Sequence, residues 1–299
     1  MTQQPNVLEM TNIMAKFTDY IGKRLPKDVI KKQEELRRQE TNPLAIKIYD
    51  AMAENQDKAD KLSRPSCQDT GVIQYFISVG AGFPLLGELE EILRNATLIA
   101  TEEGPLRHNA VETFEEKNTG TNTGSNIPWL DWEIIPGGDG VTIDVYMAGG
   151  GCTLPGAAKV LMPGEGYEGV AEFVFDIITS RGINACPPLL VGVGVSATAE
   201  TAAKLSKRAL MRPVDSDSPI PNAAKMEKLL TDGLNEVGIG PQGLTGKNSV
   251  MGVNIESSAR HPSTIGVAIS TGCWSHRRGK IKFKADLSYE ILSHEGVSL

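Results

Sequence analysis

The chain has 299 residues, of which 30 are Lys or Arg and 37 are Asp or Glu, so its net charge at pH 7 is −7. This acidic balance argues against a nucleic-acid-binding protein, because neutralising phosphates requires a basic surface. Apolar residues make up 40% and charged residues 22%, which is ordinary for a folded chain of one or two domains. No stretch reaches the roughly 18 apolar residues of a membrane-spanning helix.

The N-terminus and the cysteine content predict the compartment. Residues 1–6 contain neither the basic nor the apolar region of a secretory signal, so we expect a cytoplasmic protein. In a reducing compartment, structural disulfides are rare. The cysteines Cys67, Cys152, Cys186 and Cys273 are therefore expected to be buried thiols or ligands.

The N-terminal half of the chain changes from helical to mixed patterning. Residues 7–60 have the spacing of helices, with few breakers and apolar residues at helical intervals. Residues 72–79 are rich in β-formers, and residues 86–103 return to a helical pattern. Residues 141–147 alternate apolar and polar side chains, which predicts a half-buried strand.

The C-terminal half alternates helices and strands. The patterns predict helices at 170–179, 199–210 and 222–237, and strands at 189–193, 249–255, 265–269 and 280–285. Residues 211–222 are expected to form a surface loop rather than a domain boundary. The predicted fold class is α/β, with mixed sheets surrounded by helices and an all-helical N-terminal segment. We expect a single domain over 1–299, with a helical segment at 1–60 and an α/β body at 61–299.

Two glycine-rich segments look like nucleotide-binding loops. Gly192-Val-Gly194-Val-Ser-Ala197 follows a predicted strand, and Asp215 and Asp217 lie near the spacing of a ribose-binding acid. Those acids fall in a Ser/Pro loop and no βαβ unit is predicted to follow, so close packing of a strand on a helix is favoured over a dinucleotide site. Residues 240–249 resemble a phosphate loop, but the spacing is off by one and Asn248 replaces the magnesium-binding Ser or Thr.

Three cysteines lie at predicted junctions between strands and loops. Cys67 and Cys186 precede strands, and Cys273 follows one, so side chains from distant sequence could converge there. Their separations of 119 and 87 residues match no zinc-finger or ferredoxin pattern. Spacing alone favours three buried thiols, and a structural zinc site using Cys and His stays open as an alternative.

Polar and cationic residues adjoin these cysteines or recur elsewhere as pairs. Gln68-Asp69 follows Cys67, and His276-Arg277-Arg278 follows Cys273. Two further pairs are Arg107-His108 and Arg260-His261. Cationic groups near a metal or cluster suit a small substrate that carries carboxylates, although most arginines are simply solvated.

Seven motifs carry a resemblance to a known family. They are Cys67-Gln-Asp-Thr-Gly71, Pro105-Leu-Arg-His-Asn109, Asn118-Thr-Gly-Thr-Asn-Thr-Gly124, Gly149-Gly-Gly-Cys-Thr-Leu-Pro-Gly156, Asn184-Ala-Cys-Pro-Pro188, Gly238-Ile-Gly-Pro-Gln-Gly-Leu-Thr-Gly246, and Ala259-Arg-His-Pro-Ser-Thr264 with Gly272-Cys-Trp-Ser-His-Arg-Arg278. In this order they resemble the class I fumarases and iron–sulfur L(+)-tartrate dehydratases over essentially the whole chain. The Gly-Gly-Gly-Cys-Thr-Leu-Pro-Gly motif favours tartrate dehydratases, because fumarases usually carry a Ser-Glu-Asn type of sequence there.

The resemblance implies a 4Fe-4S cluster held by the thiolates of Cys67, Cys186 and Cys273. Thiolates are soft anionic ligands that suit such clusters. Three ligands for four irons leave one iron open, which can act as a Lewis acid on a departing hydroxide and implies sensitivity to oxygen. Cys152 is expected not to be a permanent ligand, because a fourth thiolate would close that iron.

The resemblance also implies which residues surround the substrate. Gln68, Asp69, Arg107 and His261 match the family's positions there. Arg107 suits a carboxylate clamp, because its planar fork binds carboxylates in a bidentate manner. His261 could hydrogen-bond a carboxylate or a hydroxyl. Asp69 could handle a proton, orient Arg107 or His261, or only cap the turn at Asp-Thr-Gly.

Fused family members have a second domain that supplies a base and further cationic clamps. This chain stops before that domain, so the resemblance implies the α subunit of a heteromer, with an α2β2 assembly and a β subunit completing the site. The expected reaction is dehydration of L(+)-tartrate, a small dicarboxylate, to oxaloacetate. The alternative is the α subunit of a two-subunit class I fumarase that interconverts malate and fumarate. The basic run 276–284 could face the substrate or the partner, or form a solvated strand face.

Overall fold

The computed structural model describes residues 5–299, so residues 1–4, on which the expectation of no secretory signal partly rests, lie outside the described residues. The chain forms two compact units. Among the described residues, unit 1 comprises residues 5–27, 55–149 and 277–299, and unit 2 comprises residues 28–54 and 150–276. No helix within the described residues is long and apolar enough to cross a membrane. The grouping of 1–299 as one domain stays a prediction.

The N-terminal segment is helical, as predicted. It consists of α1 (Pro5–Lys23), α2 (Lys27–Gln39) and α3 (Pro43–Leu62). The helix α3 begins with proline at its first position, and the side chain of Asn42 accepts a hydrogen bond from the amide of Leu44 at 2.9 Å. Residues 43–54 of α3 belong to unit 2 and residues 55–62 to unit 1.

The rest of the chain mixes helices and strands, which confirms the α/β class. In chain order its elements are β1 (Val72–Gly80), α4 (Leu89–Glu103), β2 (Val111–Glu112), β3 (Lys117–Asn118), β4 (Trp129–Ile135), β5 (Val141–Ala148), α5 (Gly150–Thr153), β6 (Ala157–Leu161), α6 (Gly166–Arg181), β7 (Leu189–Ser196), α7 (Ala199–Ala209), α8 (Pro221–Glu236), β8 (Val250–Ser257), β9 (Ile265–Gly272), β10 (Arg278–Phe283) and β11 (Tyr289–Ile291).

Unit 1 is built on a five-stranded sheet in the order β11-β10-β5-β1-β4. The strand β1 pairs parallel to β4 and antiparallel to β5, and β10 pairs antiparallel to both β5 and β11. Alternate side chains of β1 and β5 enter one apolar core together with side chains of α1 and α4. Because successive side chains of a strand point to opposite faces of the sheet, this sheet has one apolar face, as the alternation at 141–147 predicts.

A buried tyrosine links the two helices of this core. The hydroxyl of Tyr75 lies 3.3 Å from that of Thr18 on α1 and 3.0 Å from that of Thr97 on α4. Burial raises the pKa of Tyr75, and the two hydroxyl contacts oppose that rise. The tyrosine is thus a satisfied core residue that fixes both helices on the sheet.

Unit 2 is built on a four-stranded sheet in the order β6-β9-β7-β8. The strands β7 and β9 are buried along their whole length. Val191, Val193 and Val195 of β7 face a core shared with α6 and α8, whereas Gly192 and Gly194 face α7. Helices thus cover both faces, which explains why these strands are almost continuously apolar in sequence.

The Gly192-Val-Gly194 segment is a packing motif, as predicted. A Cβ atom at Gly192 would overlap the carbonyl oxygen of Ser206, and one at Gly194 would overlap that of Ala202. The expectation that no βαβ unit follows is wrong, because β7 and β8 are parallel and α7 and α8 connect them. The start of α7 is nevertheless capped by the side chain of Thr198, which accepts from the amide of Thr201.

The phosphate-loop-like segment is also filled by the protein itself. The carboxylate of Glu40 accepts a hydrogen bond from the amide of Lys247 at 2.8 Å and from those of Thr41 and Asn42 at 2.7 and 2.9 Å. A Cβ at Gly246 would lie 2.7 Å from the Glu40 Oε2 atom. The amide of Lys247, which a phosphate loop would use to bind its ligand, therefore already donates to the carboxylate of Glu40. Residues 211–222 lie wholly within unit 2, so this loop is no boundary between the units.

Candidate functional site

The loop that carries Cys67, Gln68 and Asp69 is held by hydrogen bonds rather than by strand pairing. The amide of Ser66 donates to the carbonyl of Gly22 at 3.1 Å, and the Nδ2 atom of Asn55 donates to the carbonyl of Ser66 at 2.7 Å. Cys67 and Asp69 are half-buried, and Gln68 is exposed. The loop therefore presents these three side chains from a fixed backbone.

Asp69 caps the turn into β1. Its Oδ1 atom accepts a hydrogen bond from the amide of Gly71 at 3.1 Å. Gly71 has a φ of +80°, and a Cβ there would lie 2.7 Å from the carbonyl carbon of Ala148, so only glycine fits. This geometry supports the turn-cap alternative for one oxygen of Asp69.

A buried polar network connects this loop to Arg107. The hydroxyl of Thr70 accepts from the amide of Arg107 at 3.0 Å, and the Nδ2 atom of Asn109 donates to the carbonyl of Gly71 at 3.0 Å. The amide of Asn109 donates to the Oδ1 atom of Asn122 at 3.0 Å. Thr70 and Asn122 are 1% exposed, whereas the Arg107 side chain is exposed and can reach a diffusing ligand.

The amino-acid sequence carries no signal of this network. Thr70, Asn109 and Asn122 lie in three separate loop motifs, and a polar residue in a loop motif gives no signal of burial. Only the tertiary contacts show that these side chains hold the backbone of Arg107 beside the Cys67–Gly71 loop.

Arg277 also contacts the Cys67–Gly71 loop. Its Nη2 atom donates to the carbonyl of Asp69 at 2.7 Å, and the residue is 2% exposed. Arg278 is also buried, whereas Lys282 and Lys284 are exposed. The solvated-face alternative for 276–284 is therefore wrong for its two arginines and right for these two lysines.

In unit 2, strand pairing brings Cys186 and Cys273 together. The strands β7 and β9 are antiparallel, with Leu190 opposite Gly272, so Cys186, three residues before β7, and Cys273, directly after β9, share one end of the sheet. The amide of Trp274 donates to the carbonyl of Cys186 at 3.1 Å, and the side chain of Gln33 donates to the carbonyl of Trp274 at 2.5 Å.

Cys186 has an unusual backbone conformation. Its φ of +54° and ψ of +74° lie in the left-handed region, which costs a non-glycine residue about 1–2 kcal/mol. The cysteine is exposed, so packing does not require the side chain. A strained, exposed cysteine is typical of a functional position rather than of a buried small hydrophobe.

Cys152 lies at the same end of this sheet and is buried. Its carbonyl accepts a hydrogen bond from the hydroxyl of Thr271 at 2.6 Å, two residues before Cys273. Burial lowers the pKa of Lys207, and the negative charge of an ionised Cys152 opposes that shift. The glycine-rich segment thus places Cys152 near the Cys186–Cys273 pair, without the exposure of Cys186.

His261 lies at the other end of the same sheet. It precedes β9, whereas Cys273 follows that strand, and eight strand residues span roughly 25 Å. Its Nδ1 atom accepts from the amide of Ser263 at 3.1 Å, and its side chain is exposed. Within unit 2, His261 is therefore separated from the two cysteines by the length of β9.

The chemistry of the thiol donors fits an iron–sulfur cluster. Cys67, Cys186 and Cys273 are thiols outside any disulfide and are at least partly exposed, and thiolates are the preferred ligands of such clusters. Among the described residues, no three or more His, Cys, Asp or Glu side chains are grouped so that they could hold a metal ion.

Comparison with known proteins gives a consistent family. The family model described as fumarate hydratase (Fumerase) matches residues 11–282. Chains from Escherichia coli (strain K12) and Shigella sonnei (strain Ss046), both named L(+)-tartrate dehydratase subunit alpha, are 58% identical over 292 residues, which is 98% of this chain and 96% of theirs. A chain from Methanocaldococcus jannaschii is 35% identical over 266 residues, 88% of this chain and 93% of its own. The chain therefore belongs to the fumarate hydratase (Fumerase) family.

Proposed function

We propose that the chain is the α subunit of an iron–sulfur hydro-lyase that dehydrates L(+)-tartrate to oxaloacetate. The name shared by relatives 58% identical over nearly the full length supports the substrate. The observation that carries the chemistry is the 3.1 Å hydrogen bond from the amide of Trp274, the residue after Cys273, to the carbonyl of Cys186 at one end of the sheet.

We propose that Cys67, Cys186 and Cys273 together hold a 4Fe-4S cluster. When bound, this group supplies an open iron that acts as a Lewis acid toward the departing hydroxide. Cys152 is not a permanent ligand, and its burial supports a packing role.

The reaction breaks one C–H and one C–O bond of tartrate. The proton leaves from the carbon next to the departing hydroxyl, that hydroxyl leaves as water after protonation, and the resulting enol rearranges to oxaloacetate. The protein must therefore clamp two carboxylates and move two protons.

Arg107 is proposed to clamp one substrate carboxylate. Its side chain is exposed while its backbone amide is fixed to Thr70 at 3.0 Å. A guanidinium held in this way can bind a carboxylate in a bidentate manner with little loss of backbone freedom. Gln68 lies on the Cys67–Gly71 loop, to which Arg107 is hydrogen-bonded through Thr70, and its exposed amide can hydrogen-bond a hydroxyl or a carboxylate.

Asp69 is proposed to move or hold a proton, and one substitution separates this role from turn capping. Asn keeps an oxygen that accepts from the Gly71 amide but cannot take up a proton. We expect Asp69→Asn to leave the thermal midpoint nearly unchanged and to lower kcat about 100-fold. Unchanged kcat in a folded Asp69→Asn protein would assign Asp69 to the turn alone.

His261 is proposed to hydrogen-bond the substrate, although it lies at the far end of the unit 2 sheet from Cys273. The test is His261→Gln, measured as kcat/KM with the cluster content held equal. A tenfold fall supports the assignment, and an unchanged value would make His261 a structural residue of the loop at 258–264.

A partner subunit is proposed to complete the active site. The word "subunit" in the relatives' names supports a second chain, for which we propose a β subunit, an α2β2 assembly and a cytoplasmic location. The base that the family supplies from its second region would then come from that partner.

The deciding experiment measures iron, acid-labile sulfide and substrate preference. The chain is purified without oxygen, alone and co-expressed with the proposed partner. We expect about four iron and four sulfide atoms per chain, with tartrate preferred over malate and fumarate by kcat/KM. A strong preference for malate would instead identify a two-subunit fumarase, and zinc without sulfide would refute the cluster.

A further inference from the structure

Arg277 carries more hydrogen-bonding capacity than the described structure uses. Its Nη2 atom binds the carbonyl of Asp69 at 2.7 Å. Its Nε and Nη1 atoms are buried and donate to no acceptor among the described residues. Buried guanidinium donors without acceptors are expensive, because the charge and each N–H have lost their hydration. Such a group indicates that an anion belongs beside it.

The position of Arg277 narrows the identity of that anion. The arginine follows Cys273 by four residues in sequence, and it holds the carbonyl of the residue two positions after Cys67. Arg107, by contrast, is exposed and can meet a ligand that enters from solvent. An arginine that is 2% exposed suits a resident anion rather than one that exchanges in every turnover.

We propose that Arg277 is a positioning residue for the cluster. Its Nη2 atom fixes the Cys67–Gly71 loop, and its Nε and Nη1 atoms donate to sulfur atoms of the anionic cluster or of its thiolate ligands. Hydrogen bonds to these sulfurs and nearby positive charge tune the reduction potential and the retention of such clusters. This inference rests on the proposed function, since it requires the cluster.

The proposal predicts opposite effects of one substitution in two states of the protein. Without the cluster, Arg277→Met removes a buried charge that has no counterion among residues 5–299, so the thermal midpoint of the cluster-free protein rises by a few degrees. With the cluster, Arg277→Met removes donors and positive charge. We then expect iron loss to a chelator to be at least tenfold faster and the reduction potential to become more negative.

Arg212→Met is the matched control. Arg212 is also a poorly exposed arginine that holds backbone carbonyls, at Ile255 and Ser216, but its counterion is present, because its Nη1 atom lies 2.8 Å from the carboxylate of Glu227. We expect Arg212→Met to lower the thermal midpoint both with and without the cluster and to leave the rate of iron loss unchanged. Arg277→Lys keeps the charge with a single donor group and is expected to be intermediate, which provides a second variant if Arg277→Met folds poorly.

The experiment is performed on the anaerobic complex, with iron retention, cluster EPR and reduction potential measured besides activity. Loss of stability in both states with unchanged iron retention would make Arg277 a purely structural residue and overturn the proposal. An unchanged cluster with a tenfold higher KM for tartrate would instead assign the anion to a substrate carboxylate. A wild-type protein that binds no iron would overturn the proposed function itself, whereas a loaded wild type indifferent to Arg277→Met and Arg277→Lys would overturn only this inference.

Discussion

The two units present their cysteines by different structural means. In unit 2, Cys186 lies three residues before β7 and Cys273 directly after β9, and both strands are buried along their whole length and covered on both faces. In unit 1, Cys67 lies on a loop that side chains of Asn55, Thr70 and Arg277 hold in place. Strand pairing positions Cys186 and Cys273 together with the core of unit 2. A few polar contacts position Cys67 in unit 1.

This difference predicts which substitutions act locally. A change in the unit 2 sheet affects the stability of the whole unit, because the cysteines and the core share the same strands. A change in the polar network of unit 1 affects the loop and Arg107 while the core remains intact.

Removal of a proposed cluster thiolate is expected to have the largest effect, and this effect is expected to be the same for a cysteine of either unit. Cys67→Ser and Cys186→Ser are each expected to lower iron and sulfide from about four per chain to well below one, with a loss of activity of about 10³-fold or more. Cys152→Ala is the control and is expected to keep the cluster. Full iron content in Cys67→Ser would exclude unit 1 from the cluster site.

Disruption of the polar network has the next largest effect and tests the loop. Thr70→Val removes the acceptor of the Arg107 amide and leaves that partly buried N–H without this partner. We expect kcat/KM for tartrate to fall about 10- to 100-fold, which is about 1.4–2.7 kcal/mol, with iron content unchanged. Thr70→Ser keeps the hydroxyl and serves as the control, and equal kinetics of the two variants would remove Thr70 from the positioning of Arg107.

A change at the strand–helix contact tests the unit 2 sheet. A Cβ at Gly194 would overlap the carbonyl oxygen of Ala202 on α7, so Gly194→Ala must displace the helix. We expect the free energy of unfolding to fall by about 1–3 kcal/mol, together with weaker cluster retention. Gly164→Ala, where a Cβ meets no atom within 4 Å, is the control, and its stability is expected to match the wild type.

The smallest effect concerns pH and the Glu40 carboxylate. Burial opposes its ionisation, but the amides of Asn42, Lys247 and Thr41 overcome this and lower its pKa below the usual value of 4.5. A lowered pKa stabilises the folded state above about pH 4.5, and this contribution disappears as the pH falls through the folded-state pKa. Glu40→Gln is therefore expected to cost about 1–2 kcal/mol at pH 7 and progressively less below pH 4.5.

Urea unfolding at several pH values from 7 to 3.5 measures this dependence. Glu172→Gln, at an exposed position on α6, is the control and is expected to leave the urea midpoint unchanged. A cost of Glu40→Gln that stays constant over this range would show that the hydrogen bonds, and not the charge, account for the stabilisation.

The amino-acid sequence determined most of the regular elements of this protein. Alternation at 141–147 and helical spacing at 199–210 predicted β5 and α7, because local periodicity is set by which side chains face a core. The motifs around Cys67, Cys186 and Cys273 indicated the family. The short edge strands β6 and β11 were missed, since they are brief and largely unpatterned, and so was β4, in which apolar and acidic residues mix.

Only the tertiary structure decided what the polar residues do. Arg277 and Lys282 look alike within a basic run, yet one is buried against Asp69 and the other is exposed. Thr70, Asn109 and Asn122 form one network although up to 52 residues separate them in sequence. Apolar patterning repeats locally and can be predicted from sequence, whereas a buried polar side chain depends on one specific partner that comes from elsewhere in the chain.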